Sequence, residues 1–179
     1  MEEGAPRRGV TPQAIASQVC EALNQAGVRY LVIGGVACIL HGYARATTDV
    51  DILIERTVDN ARRALEALGQ LGWGFAKEWS AEEILRRPIT VVGDDPAVDV
   101  FTVAWRVKYE DAVTHSSSVE VDGVSVPLIS IDDLIETKRT GRALDAADVE
   151  ALQRVRRLTG DGSRGVGRGI GRGIGRGTV

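Results

Sequence analysis

The segment YLVIGGVACILHGYARATTDVDILIER, residues 30 to 56, runs from an apolar strand into two glycines and then places Asp49 and Asp51 inside a β-branched run. "TDVDILIE" alternates: Val50, Ile52 and Ile54 fall on one face of a strand, and Asp49, Asp51, Leu53 and Glu55 on the other. Side chains two apart on a strand share a face, with Cα atoms about 6 to 7 Å apart. Two ionised carboxylates side by side on a half-buried surface are costly unless a cation neutralises them. Hard oxygen donors favour Mg²⁺.

A chain of 179 residues with 44% hydrophobic content has room for one core and is short for two. The net charge of -3 argues against a general nucleic-acid or membrane binder. Charge is uneven, because Arg164, Arg168, Arg172 and Arg176 face only Asp161 in a Gly/Arg-rich tail on an acidic body. Cys20 and Cys38 sit in apolar helical contexts without a His at metal spacing, and read as buried thiols. No run is long and apolar enough for a membrane span, and the N-terminus has no signal-peptide core, so the expected location is cytoplasmic.

Three parts are expected: a flexible leader over 1–10, a catalytic domain over 11–159 and a disordered tail over 160–179. Thr11 and Pro12 open a first helix that ends near Gly27. "RYLVIGG" is a buried strand closed by Gly34 and Gly35, and "VACILHGY" a short helix. Thr57 caps an amphipathic helix, and "GWGFAKEW" is a turn leading towards a strand. "SAEEILRR" is helical, "PITVVG" and "AVDVFTVAW" are strands, and Asp122-Gly123 turns a hairpin. Two helices follow, each opened by a capping box: Ser130 with Asp133, then Asp145 with Asp148. The expected fold class is α+β, a mixed sheet with helices packed against it.

The Gly34-Gly35 turn before a helix offers backbone N–H groups to phosphates, with which Mg²⁺ commonly enters such sites. Asp99, on an apolar strand that can lie beside the first, is the candidate third carboxylate for a second ion. Gly34-Gly35, then Asp49-Val50-Asp51-Ile52, then Asp99 in "VDVF" resembles the polymerase-β-type nucleotidyltransferase superfamily. Together with "DDLIETKRTGRALDAADVEAL", the pattern is similar to AbiEii-like and MenT-like toxins over roughly residues 11 to 158.

That resemblance implies a nucleotidyltransferase fold and transfer of NMP from an NTP to a hydroxyl, with pyrophosphate released. It implies two Mg²⁺ ions on Asp49, Asp51 and Asp99, with Asp99 able to act as base. Gly34 and Gly35 would hold the β and γ phosphates, and Lys138 would neutralise triphosphate charge. The leading acceptor is RNA, tRNA foremost, in a toxin–antitoxin setting with a cognate antitoxin. An antibiotic acceptor, lincosamide or aminoglycoside, and a binding module without catalysis are the alternatives. A second glycine instead of Ser, with Arg45 ten residues further on, departs from the minimal antitoxin-type relatives. A counterpart of the further C-terminal helical domain of the longer toxins is not expected from these residues, which leaves the acceptor open.

Arg45 and Thr48, just before the metal strand, are nucleotide-pocket candidates, with Thr47 beside them. Asp145 and Asp148 stay outside the expected site as capping residues. His41 reads as a packed histidine with a backbone partner. Trp73, Trp79 and Trp105 read as core and rim packing ahead of a base-stacking platform. The Arg-Gly tail resembles RNA-binding segments, although a dispensable tail explains it equally well.

Overall fold

The computed structural model describes residues 11–162. Thr11 accepts from the Ala14 amide and starts α1, Pro12–Gln25. β1, Tyr30–Ile33, is buried along its whole length, as a strand covered on both faces must be. α2, Gly34–Leu40, follows directly, and β2, Asp49–Ile54, returns antiparallel to β1. Thr57 accepts from the Asn60 amide at the start of α3, Val58–Leu68. Ser80 and Glu83 form the capping box of α4, Ala81–Leu85.

β3, Ile89–Val92, and β4, Ala97–Phe101, pair antiparallel, and β4 lies parallel to β2. After the short α5, Tyr109–Ala112, come β5, Ser117–Val121, and β6, Val124–Leu128. Asp122 and Gly123 between them have φ of 51° and 79°, the double positive-φ turn that Asp-Gly favours. α6, Ile131–Thr137, is capped by Ser130, and α7 spans Ala143–Gly162. The mixed sheet has the order β3-β4-β2-β1-β6-β5. No described helix is long and apolar enough to cross a membrane.

The apolar face of β2 decides which residues face the site. Val50, Ile52 and Ile54 are at most 1% exposed, within a core that includes Leu23, Ala61, Leu65 and Leu68 of α1 and α3. With that face committed to the core, Asp49 and Asp51 must point to the other side.

Three details depart from the sequence reading. Residues 75–78 form a 3-10 turn rather than leading into a strand, because Asp94 accepts from the Trp73 and Phe75 amides at 2.7 and 2.8 Å and leaves them no ladder to join. β4 ends at Phe101, short of Trp105, where Thr102 turns to donate to the Arg87 carbonyl at 2.6 Å. α7 begins at Ala143, so Asp145 and Asp148 lie inside it, and it continues to Gly162 beyond the expected boundary. The leader, and the tail after Gly162, lie outside the described residues.

A buried amide ties α3 to the ends of β1 and β2. Asn60 is fully buried, accepts from the Arg29 amide at 2.8 Å, and donates to the carbonyls of Arg29 and Glu55 at 2.9 and 3.1 Å. Asn60→Ala leaves three backbone groups without this partner, and the expected loss is about 2 kcal/mol in urea unfolding, the scale of unsatisfied buried polar groups. An unchanged midpoint would show that these bonds contribute nothing net.

Candidate active site

Parallel registry sets Asp51 of β2 opposite Asp99 of β4, with Asp49 opposite Ala97. Asp49, Asp51 and Asp99 each bring a carboxylate oxygen within 4.8 Å of the others. Burial and the charges of Asp49 and Asp99 raise the Asp51 carboxyl to about 6, against the Gly35 amide and Lys138, which lower it. Burial, then Asp49, also raises Asp99. The three acids repel one another, and a divalent cation would turn that repulsion into ligation.

The two glycines are required by close approach. Gly34 has φ 62°, and a Cβ there would lie 1.8 Å from Asp51 Oδ2. A Cβ on Gly35 would lie 2.5 Å from Thr47 Oγ1, and the Gly35 amide donates to Asp51 Oδ2 at 3.4 Å. Thr47 in turn donates to Asp49 Oδ1 at 3.0 Å. Thr48, the neighbour expected in the pocket, is exposed and is not part of the cleft lining. Successive residues of an extended segment alternate sides, so Thr47 shares the side of Asp49.

These groups line a cleft of about 490 Å³ that also takes in Arg45, Lys138, Arg142 and Asp145. Sequence reasoning left two of its supporting residues out. Asp148 is 1% and Asp145 3% exposed, so neither is a solvated cap. Asp148 pairs with Arg45 and, at 3.0 Å, with Lys138. Asp145 takes Lys138 at 3.8 Å, Arg142 at 2.6 Å and the Thr140 hydroxyl. Burial pushes the Asp145 carboxyl up, but these donors outweigh it and hold it below the usual range. The legible signal was spacing: Asp145 and Asp148 lie in register with Leu152, which is fully buried on the same face of α7.

His41 meets the Ile129 carbonyl at 2.8 Å through Nε2, the backbone partner expected of it. Cys20 and Cys38 are buried free thiols. Trp79 packs at the core edge beneath Arg87, and Trp73 stands 73% exposed beside Phe75. Trp105 lines the cleft.

The model of a family described as "Nucleotidyl transferase of unknown function (DUF2204)" matches residues 13–169. The chain belongs to this family. It is therefore a nucleotidyltransferase, and the expected fold stands, while the match does not single out the AbiEii-like or MenT-like branch. Among solved structures it is similar to an antigenic nucleotidyltransferase-like protein of Paracoccidioides brasiliensis, with TM-score 0.55 and 18% identity over 82% of this chain and 75% of that one. A candidate nucleotidyltransferase from Thermotoga maritima gives TM-score 0.46 and 14% identity over 80% and 89% of the two chains. No curated protein sequence matches the chain. For a nucleotidyltransferase, an NTP substrate and a divalent metal follow as general requirements, and the three aspartates are a donor set that fits the metal.

The raised Asp51 carboxyl has a measurable sign. The folded chain holds that proton more tightly than the unfolded chain, so stability falls as pH rises from 3.8 to about 6 and the full repulsion stands above that window. The fall in Tm across this range should flatten in Asp51→Asn. Mg²⁺ should raise Tm at pH 7.5 and much less at pH 4, where protons compete for the same oxygens. Calorimetry showing equal Mg²⁺ shifts in wild type and Asp51→Asn would put the ion elsewhere.

Proposed function

We propose that this nucleotidyltransferase uses Mg²⁺ and passes the NMP of an NTP to a hydroxyl of RNA, with tRNA the foremost acceptor. The observation that carries the Mg²⁺ assignment is the convergence of Asp49, Asp51 and Asp99 on one point. All three offer hard carboxylate oxygens, and the burial and like charges that raise the Asp51 carboxyl are what a divalent ion offsets. Two bound Mg²⁺ ions would neutralise phosphate charge at these aspartates.

The chain's own groups divide the remaining work. Asp99, with its affinity for a proton raised by burial and by Asp49, takes the proton of the acceptor hydroxyl. The oxygen forms a bond to the α-phosphorus, the bridging P–O bond to the β-phosphate breaks, and pyrophosphate leaves. Gly34 and Gly35, where a side chain would collide with Asp51 and Thr47, leave their backbone amides to face the β and γ phosphates. Lys138 and Arg45, held by Asp148, supply cations to it. Thr47 orients Asp49, and Thr48 has no part in the cleft.

A second cleft, about 540 Å³, supports the RNA acceptor. Arg56, Arg86, Arg87 and Lys108 line it, four cations against the single carboxylate Glu110, with Leu85, Pro88, Thr102 and Val103. Pro88 and Thr102 are the chain neighbours of Ile89 and Phe101, which line the catalytic cleft at the ends of β3 and β4. Clustered cations on a chain of net charge -3 suit a phosphate backbone. The resemblance to AbiEii-like and MenT-like toxins supports tRNA within RNA, a toxin–antitoxin setting and a cognate antitoxin as partner.

The deciding assay offers each α-labelled NTP with Mg²⁺ to total RNA, purified tRNA, the protein itself, a lincosamide and an aminoglycoside. Label should enter tRNA and fall on the order of a hundredfold or more in Asp49→Ala, the scale of losing a charge-stabilising group. Label on a drug and none on RNA overturns the acceptor class; label on nothing favours the binding module.

Paired charge reversal, Arg86→Glu with Lys108→Glu, should raise KM for RNA while leaving KM for the NTP unchanged. It should also lower the salt slope of RNA binding by about 1 for each phosphate that the variant no longer neutralises. Unchanged RNA binding would remove the second cleft from the acceptor path.

A further inference from the structure

We propose that Trp105 is the shelf on which the nucleobase of the NTP stacks; this rests on the catalytic cleft being the triphosphate site. The lining of the cleft combines glycines, aspartates and cations with an apolar group at and beyond the end of β4, Ile89, Phe101, Ala104 and Trp105. Phe101 lies two residues beyond Asp99 on β4, therefore on the same face, and Ile89 pairs opposite it. The apolar wall thus begins one side-chain step, about 6 to 7 Å, from the third carboxylate. A ribose bridges such an interval between α-phosphate and base.

The wall is open to solvent. Ile89 and Trp105 are 37% and 49% exposed in the same cleft as Asp49, Asp51, Asp99 and Lys138. Large apolar side chains left exposed at the edge of a ligand cleft mark a contact surface. A purine or pyrimidine, apolar on its faces and polar at its edge, suits a wall of this kind next to a phosphate site.

The backbone at Trp105 supplies an independent observation. Ala104 and Val107 exchange both hydrogen bonds of a two-residue turn, at 2.9 and 3.0 Å. Trp105, at its first central position, has φ 59°, a place that belongs to Gly or Asn in such turns. Among the described residues the other non-glycine with positive φ is Asp122, in the Asp-Gly turn where that conformation is expected. A bulky ring at a glycine position is strain retained beside the active site, and strain of this kind clusters at ligand-binding sites. The Arg106 guanidinium lies over the ring, 5.8 Å from its centre, and helps hold it in place. Because every base has a π face, this shelf supplies affinity without choosing among the four bases.

The test is calorimetric binding, with Mg²⁺, of each of the four NTPs and of inorganic tripolyphosphate to wild type, Trp105→Gly, Trp105→Phe, Trp73→Ala and Asp49→Ala. Trp105→Gly removes the ring and relieves the turn, so its Tm should equal or exceed that of wild type. It should weaken every NTP roughly tenfold or more, the effect of losing a stacked base, with tripolyphosphate affinity unchanged. Trp105→Phe should recover most of that loss, and Trp73→Ala should bind as wild type. NTP affinity equal to wild type in Trp105→Gly overturns the shelf, as does a defect confined to KM for the acceptor. Failure of the triphosphate site itself shows separately: wild type would bind tripolyphosphate no better than Asp49→Ala does.

Discussion

Parallel pairing of β2 with β4 brings Asp51 across from Asp99, and the site depends on that registry. Neighbouring strands lie about 4.8 Å apart, so the pairing holds like charges closer than free side chains would choose. What keeps them there is the opposite face of the same strands. Val50, Ile52, Val98 and Val100 are all at most 2% exposed, and a slip of one residue would bring them to solvent and bury the aspartates. Burial of branched apolar side chains thus sets the geometry of an acidic site that opposes its own assembly. Catalytic centres are where repulsion of this kind is kept, because the substrate complex relieves it.

A layer of paired charge lies behind the three aspartates. Asp145 and Asp148, on the buried face of α7, draw in Lys138 from the end of α6 and Arg45 from the loop before β2. Ion pairs this deep bring little net stability over apolar packing, because both charges lose water. Their contribution is direction, holding two long and flexible cations in the lining of the acidic cleft with little freedom left to lose. α7 therefore belongs to the cleft although no residue of it joins the three aspartates.

Features carried by local chemistry were legible in the sequence. The caps at Thr11, Thr57 and Ser130, the Asp122-Gly123 turn and the placing of Asp49 and Asp51 on one face of a strand each need only a few neighbouring residues to specify them. The adjacency of Asp99 needed a guess about pairing that β4 bears out. Features set by distant partners were not legible. Phe75–Glu78 curls because Asp94 claims two amides, and Asp145 and Asp148 look like caps until Arg45 and Lys138 arrive from elsewhere. The turn at Trp105 was hidden for the opposite reason, since its residue contradicts its backbone.

The order in which the pieces of the site occur along the chain carries a consequence in time. Gly34, Asp49 and Asp51 emerge first during synthesis, Asp99 only after α3, α4 and β3, and Lys138 with Asp148 last of all. Non-local pairings repay the entropy of loop closure only once both partners exist. A nascent chain that stops before β4 holds two aspartates and no third, and one that stops before α7 holds Lys138 without the carboxylates that aim it. On the proposed function, the cleft is complete only once α7 has docked, so the newborn polypeptide carries its acidic residues well before the cations beside them are held in place.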